Sequence, residues 1–292
     1  DTDDGSSTAN DFDDSIMAGY GFQIDLNTSF TGEDSLDISI DAGNASGAGY
    51  AEFDGNSTSD YLVVDGVSYT FPVGGATAFV GDNTDGSLLF TTACVYGGPS
   101  NTLDDCGNTY AALNAGSGTA FGAAYDFGNG FTTAVGITTS PSSVLTEESD
   151  DASAVNVAYT AENYGVSVSY ADLDSVQSGV TDTTTWAFNG YYTPDGLPSI
   201  SVGYETAESS IPSISSSDTD SSGWFVGLTW DEVGPGSAGL AIGTQGHTID
   251  AAGYEEELMY EAYYDYPVND GMTITPLVFI KEVAASGKDD TT

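Results

Sequence analysis

The chain contains no arginine. Two lysines (Lys281, Lys288), one histidine (His247) and two cysteines (Cys94, Cys106) stand against 45 Asp and Glu in 292 residues, a formal net charge of −43. A nucleic-acid-binding surface needs Lys and Arg to neutralise phosphates, so that class is excluded. A basic patch on an anionic membrane surface is excluded for the same reason. One His and two Cys do not supply a zinc-type ligand set. No apolar run approaches the roughly 20 residues of a transmembrane helix, and the opening DTDDGSSTAND has none of the regions of a signal peptide.

High net charge with few hydrophobes is the signature of disorder. Here 39% of residues are hydrophobic and 12% aromatic, which is ample for ordered structure. The 37 Gly, with abundant Ser and Thr, point to many short strands joined by turns. Period-2 alternation bears this out, and helical periodicity is nearly absent. Tyr20, Phe22, Ile24, Leu26 and Phe30 share one face, with Gln23, Asp25 and Asn27 on the other. Leu36, Ile38 and Ile40 alternate with Asp37, Ser39 and Asp41. Trp224-Val226-Leu228-Trp230 and Leu258-Tyr260-Ala262-Tyr264-Tyr266 repeat the pattern, the latter against Met259, Glu261, Tyr263 and Asp265. The alternation predicts about fourteen strands, starting near residues 16, 35, 61, 75, 118, 130, 152, 164, 182, 197, 222, 237, 254 and 271.

The connections are more informative than the strands. FTGED, FPVGG, DFGNG, AENYG, TPDGLP, DEVGPGS and YPVNDG are tight. Residues 42–60, 82–117, 138–151, 172–181, 207–221 and 245–253 are long and polar. Short and long alternate along the whole chain, which pairs the strands into seven hairpins closed at one end. An all-β antiparallel transmembrane barrel has this asymmetry, with short turns at one rim and long loops at the other. Phe30, Phe71, Phe127, Tyr164, Trp230 and Tyr266 cluster beside the short turns, where an aromatic girdle is expected. A soluble sandwich explains the alternation but not the one-sided loop lengths. Residues 1–292 read as a single barrel segment, and one further strand at each end would bring the even count of such barrels to sixteen.

Cys94 and Cys106 flank a Gly- and Asp-rich stretch within the longest connection. In an oxidising compartment they would form a disulfide worth about 3 kcal/mol; the alternative is a pair of free thiols.

Several stretches, in order, resemble the porins of cyanobacterial outer membranes, a branch of the carbohydrate-selective porin family. They are LNTSFTGEDSL (26–36), SYTFPVG (68–74), LPSISVGY (197–204), GWFVGLTWDEV (223–233) and YEAYYDYPVNDGMTITP (260–276). The resemblance implies passive uptake of small hydrophilic solutes and inorganic ions by a homotrimer in the bacterial outer membrane. It also implies an S-layer-homology domain tethering the barrel to the cell wall; that domain and the terminal strands lie outside these residues. One departure concerns charge, since EDSLDISIDAGN after the FTG turn carries no basic residue.

A pore performs no chemistry; its selectivity comes from width and field. The face opposite the aromatics makes Asp25, Asp37, Asp41, Glu261 and Asp265 the candidate pore-lining acids. Carboxylates without basic counterparts repel anions and concentrate cations. The 82–117 connection either folds inward as a constriction carrying Asp82, Asp85, Asp104 and Asp105, or packs on the rim. His247 stands alone in GTQGHTID, so no catalytic group is expected and the chain is read as a non-enzyme. No cofactor is expected beyond Ca²⁺ at acidic loops such as DTDDG (1–5), DNTDG (82–86) and SDTDSSG (217–223), none of which has EF-hand spacing. The competing reading is an acidic, Ca²⁺-cross-linked surface-layer or adhesion protein.

Overall fold

The computed structural model describes residues 18–45, 58–100, 103, 106–112, 118–141, 144, 146, 150–174, 182–211, 214–215 and 218–282. The described residues form one antiparallel sheet and no α-helix. Its first strands are β1 (Gly21–Thr28), β2 (Ser35–Gly43), β3 (Val63–Val73), β4 (Ala76–Thr84), β5 (Gly118–Asp126) and β6 (Phe131–Thr139). The middle of the wall is β7 (Asp151–Thr160), β8 (Tyr164–Asp174), β9 (Asp182–Tyr192) and β10 (Ser199–Ser209). The remainder is β11 (Thr219–Val233), β12 (Gly236–Thr244), β13 (Thr248–Ile249), β14 (Leu258–Asn269), β15 (Met272–Ile274) and β16 (Leu277–Lys281).

Each strand pairs with its sequence neighbour, an uninterrupted meander. Two of the sixteen elements are continuations. β15 and β16 both pair with β14 in one register, from Tyr266↔Ile274 to Tyr263↔Leu277, so they are one strand broken at Thr275-Pro276. β13 extends β12 along β11 after an irregularity. The wall therefore has the fourteen rows that the alternation predicted. The penultimate row starts at Leu258 rather than near 254, because Glu255, Glu256 and Glu257 precede it outside the ladder. Among the described residues β1 and the β15–β16 row are the two edges, and the sheet is not closed between them.

The two faces of the wall are reversed relative to a water-soluble protein. Along β8 exposure alternates residue by residue, with Val166 and Val168 outward and Ser167 and Ser169 buried. On β10, Ile200, Val202 and Tyr204 are exposed while Ser201 and Glu205 are buried. Apolar side chains left in the open and polar ones covered are the outer and inner faces of a transmembrane barrel. Length agrees: the 11 residues of β8 rise roughly 36 Å and, tilted at about 45°, cross roughly 26 Å, the height of a barrel's apolar band.

The predicted girdle residues all sit at the short-turn end. Phe30 and Phe127 are in turns, and Phe71, Tyr164, Trp230 and Tyr266 occupy outward positions of β3, β8, β11 and β14. Neighbouring rings meet there, including Tyr69 with Phe71 at 5.3 Å and Tyr125 with Phe127 at 4.9 Å. The β1–β2 turn is locked by Asp34. Its carboxylate accepts from Ser29 Oγ (2.6 Å), Thr31 N (2.8 Å), Thr31 Oγ1 (2.7 Å) and Tyr69 Oη (2.6 Å). Those hydrogen bonds, Ser29's foremost, hold the Asp34 carboxyl well below the usual carboxylate range.

Candidate functional site

The interior is dominated by the connection between β4 and β5. It does not stand on the rim but lies along the polar face of the wall. Gly86 N donates to Thr138 Oγ1 of β6 at 2.7 Å. Thr91 N donates to Asn156 of β7 (3.0 Å), Ala93 N to Ser167 of β8 (2.9 Å), and Val95 N and Tyr96 N to Ser201 of β10 (3.0 and 3.1 Å). The chain then reaches β14, where Glu261 accepts from Tyr96 Oη (2.5 Å) and Ser100 N (3.0 Å). It returns past Leu103 and Cys106, which pack with Phe225, Ala241, Met259 and Phe279 on the inner face. Cys94 and Cys106 are joined as a disulfide with Cα atoms 6.3 Å apart, tying the outgoing limb to the returning one.

The local sequence explains why the wall accepts a loop so close. The inward positions of β6–β10 are mostly Gly, Ala, Ser, Thr and Asn, with Leu173, Tyr191 and Glu205 as larger exceptions; the short side chains leave space and offer hydrogen-bonding groups. At Gly203 an added Cβ would overlap the Cys106 carbonyl oxygen, and at Gly136 it would overlap that of Gly86. These two glycines are points where backbone meets backbone, which no larger residue permits.

The returning limb ends on Glu205. This side chain has no exposed surface, and its carboxylate accepts from three successive backbone N–H groups: Thr109 (3.0 Å), Tyr110 (2.9 Å) and Ala111 (2.9 Å). His247 Nε2 lies 2.8 Å from the same carboxylate, and its Nδ1 lies 3.0 Å from Ser221 Oγ. Tyr110 stands edge-on to the imidazole at 4.8 Å. Burial, with the Glu205 charge added, pushes the Tyr110 hydroxyl up.

The five candidate lining acids separate into three environments. Asp25, Asp37 and Asp41 share the inward face of β1 and β2, paired across the ladder as Gln23↔Asp41, Asp25↔Ser39 and Asn27↔Asp37. Asp25 accepts from Gln23 Nε2 (2.7 Å) and Ser39 Oγ (2.9 Å), and Asp37 from Ser35 Oγ (2.7 Å) and from Asn27. Asp25 is exposed, and Asp37 and Asp41 are half-buried. Glu261, by contrast, is 3% exposed and belongs to the loop attachment, not to a water-facing surface. Asp265, two steps of the alternation further, lies beside the short-turn end and accepts from Thr275 Oγ1 at 2.5 Å.

Of the candidate constriction acids, Asp82 lies within β4, paired with Val67 and not in the loop, and accepts from Thr119 Oγ1 (3.1 Å), and Asp85 accepts from Ser87 N at 2.7 Å. Asp104 and Asp105 lie outside the described residues. Nothing in the sequence singles out Glu205, and His247, which stands alone there, has Glu205 as its partner in the structure. The alternation through Val202 and Tyr204 puts Glu205 on the inner face, but its imidazole partner is far along the chain. Among the described residues no group of three or more His, Cys, Asp or Glu is arranged to hold a metal.

No family model matches the sequence, and no curated protein matches it. The fold does have solved counterparts. A porin refined at 1.8 Å resolution superposes with a TM-score of 0.60 at 17% identity, over 92% of this chain and 88% of that one. The anion-selective porin from Comamonas acidovorans gives 0.64 at 12% identity, over 93% and 82%. A mutant of the Rh. blastica porin gives 0.55 at 12% identity, over 90% and 84%. At these identities the likeness is one of architecture: the chain has the fold of the bacterial porins.

Proposed function

We propose that the chain is an outer-membrane porin through which small hydrophilic solutes and ions diffuse passively, with a preference for cations. The observation that supports this reading most strongly is the reversed wall, apolar outside and polar inside, with a long connection laid across its interior. A water-soluble lattice protein would have to leave Val166, Val202, Leu240 and Val278 facing water, each more than a third exposed. The proposal includes a bacterial outer-membrane location, a homotrimer, small sugars among the solutes and a cell-wall tether outside these residues, as the cyanobacterial resemblance implies. Ca²⁺ held between acidic loops would be a stabilising ion, with no catalytic role.

Cation preference rests on charge. The inward acids Asp25, Asp37 and Asp41 have no Arg to oppose them anywhere in the sequence, and Lys281 and Lys288 are the only lysines. The selectivity named for the Comamonas porin therefore does not carry over. The test is a planar bilayer under a KCl gradient. Stepwise conductance with a reversal potential on the cation side is expected. Folded protein that never conducts would overturn the porin reading, and conduction with an anion-side potential would overturn the cation preference alone.

A further inference from the structure

Burying a carboxylate is costly anywhere, and more so in a chain of net charge −43. Glu205 is nevertheless fully buried, and four N–H groups converge on its carboxylate. Oε1 receives Thr109 N, Tyr110 N and His247 Nε2, and Oε2 receives Ala111 N. Three consecutive amides converging on one point form an anion-binding concavity in the backbone. Here the anion is supplied by the wall, from strand β10. The side chain thus does for the loop what a bound ion does elsewhere: it fixes the conformation of 109–111 and its position at once.

We propose that Glu205 is the positioning residue of the inward loop, with His247 as its fixed second donor, and that this clamp holds the pore at one width. The inference rests on the porin reading. His247 cannot turn away, because Ser221 binds its other nitrogen and Tyr110 stands against its ring. Across the ladder Glu205 faces Ala187 of β9 and Gly223 of β11, and Ser221 of β11 and Tyr110 of the loop stand against His247. None of these offers a second carboxylate. Through Cys106, which accepts from Asn189 Nδ2 at 3.2 Å, and its disulfide to Cys94, the clamp also restrains the outgoing limb. Glu261 holds the far bend, so the loop is fixed at two points by two buried acids. Among the described residues, Glu205 alone takes three loop amides.

The test is single-channel recording of the parent, Glu205→Ala, Glu205→Gln and His247→Phe, with Glu208→Ala on the outer face of the same strand as control. Heat-modifiable gel migration checks that each barrel is folded. Loss of the clamp should raise the population of partly blocked substates about tenfold, a change of about 1.4 kcal/mol, and shift the size of polymer excluded. Glu205→Gln should fall between, since it keeps the volume but presents an N–H₂ to Ala111 N–H. Folded Glu205→Ala channels as quiet as the parent and the control would overturn the proposal. If Glu205→Ala does not fold, the same criterion applies to Glu205→Gln and His247→Phe. A parent without channels would instead overturn the porin reading.

Discussion

Replacing Asp25, Asp37 and Asp41 together by Asn removes three charges and leaves side-chain shape nearly intact. The three lie on β1 and β2, whereas the hydrogen bonds of the loop's described residues run to β6–β10 and β14, so on the porin reading the acids face the open side of the interior. An ion passing roughly 7 Å from a carboxylate in water feels about 0.6 kcal/mol, halved to about 0.3 by screening at 0.1 M salt. Three such charges give about 0.9 kcal/mol for a cation and the opposite for an anion. The difference, about 1.8 kcal/mol, is roughly a 20-fold ratio. At 1 M salt, with a screening length of about 3 Å, less than twofold of this survives. The cation-to-anion permeability ratio should therefore fall about 20-fold in the triple variant at 0.1 M and hardly at all at 1 M. Reversal potentials in planar bilayers at both salt levels measure it. An unchanged potential at 0.1 M would refute the assignment of these acids to the conducting face.

Three further outcomes follow from other parts of the molecule. Val168→Arg, outward on β8, should cost about 2–4 kcal/mol in urea unfolding from vesicles if the residue lies near the bilayer midplane; no loss would contradict the inside-outside assignment. Gly203→Val should displace the loop and break the bonds of Asn189 to Cys106 O and of Asn108 to Asn189. At about 1 kcal/mol net each, some 2 kcal/mol of loop attachment is lost, read as protease cleavage within 85–117 while the barrel still migrates as folded. For Asp34, the folded carboxyl is depressed, so its contribution is complete above the unfolded value of about 3.9 and is lost as pH falls below it. Asp34→Asn should thus lower the heat-modification temperature at pH 7, and the gap to the parent should close in acid.

The sequence made the wall legible because a strand's period is two and each hairpin turn is short. Leu36, Ile38 and Ile40 against Asp37, Ser39 and Asp41 specify a face, and FTGED or DFGNG specifies where the chain reverses. Pairing follows directly in a meander, where every partner is the next strand. The inward loop was open to two readings, because its contacts are made to side chains on distant strands. Glu261 and Asp265 look equivalent in sequence, four residues apart on one face. Only the presence of Tyr96 and Ser100 above Glu261 separates a buried anchor from a residue near the rim. His247 and Glu205 are 42 positions apart, with β11 and β12 between them. No local pattern links them.

The attachment of the loop also constrains the order in which the molecule can be built. Its partners lie far down the chain: Thr109 to Ala111 bond a residue 94–96 positions later, and Ser100 one 161 positions later. Contacts of such separation cost more chain entropy to close than any hairpin and need β6–β14 to be present. Yet the loop lies on the concave side of the wall, so a finished cylinder would admit it only through its mouth. On the porin reading, the sheet therefore has to curl around its own contents: β6–β14 come to enclose a loop they already hold, and do not receive it after closure.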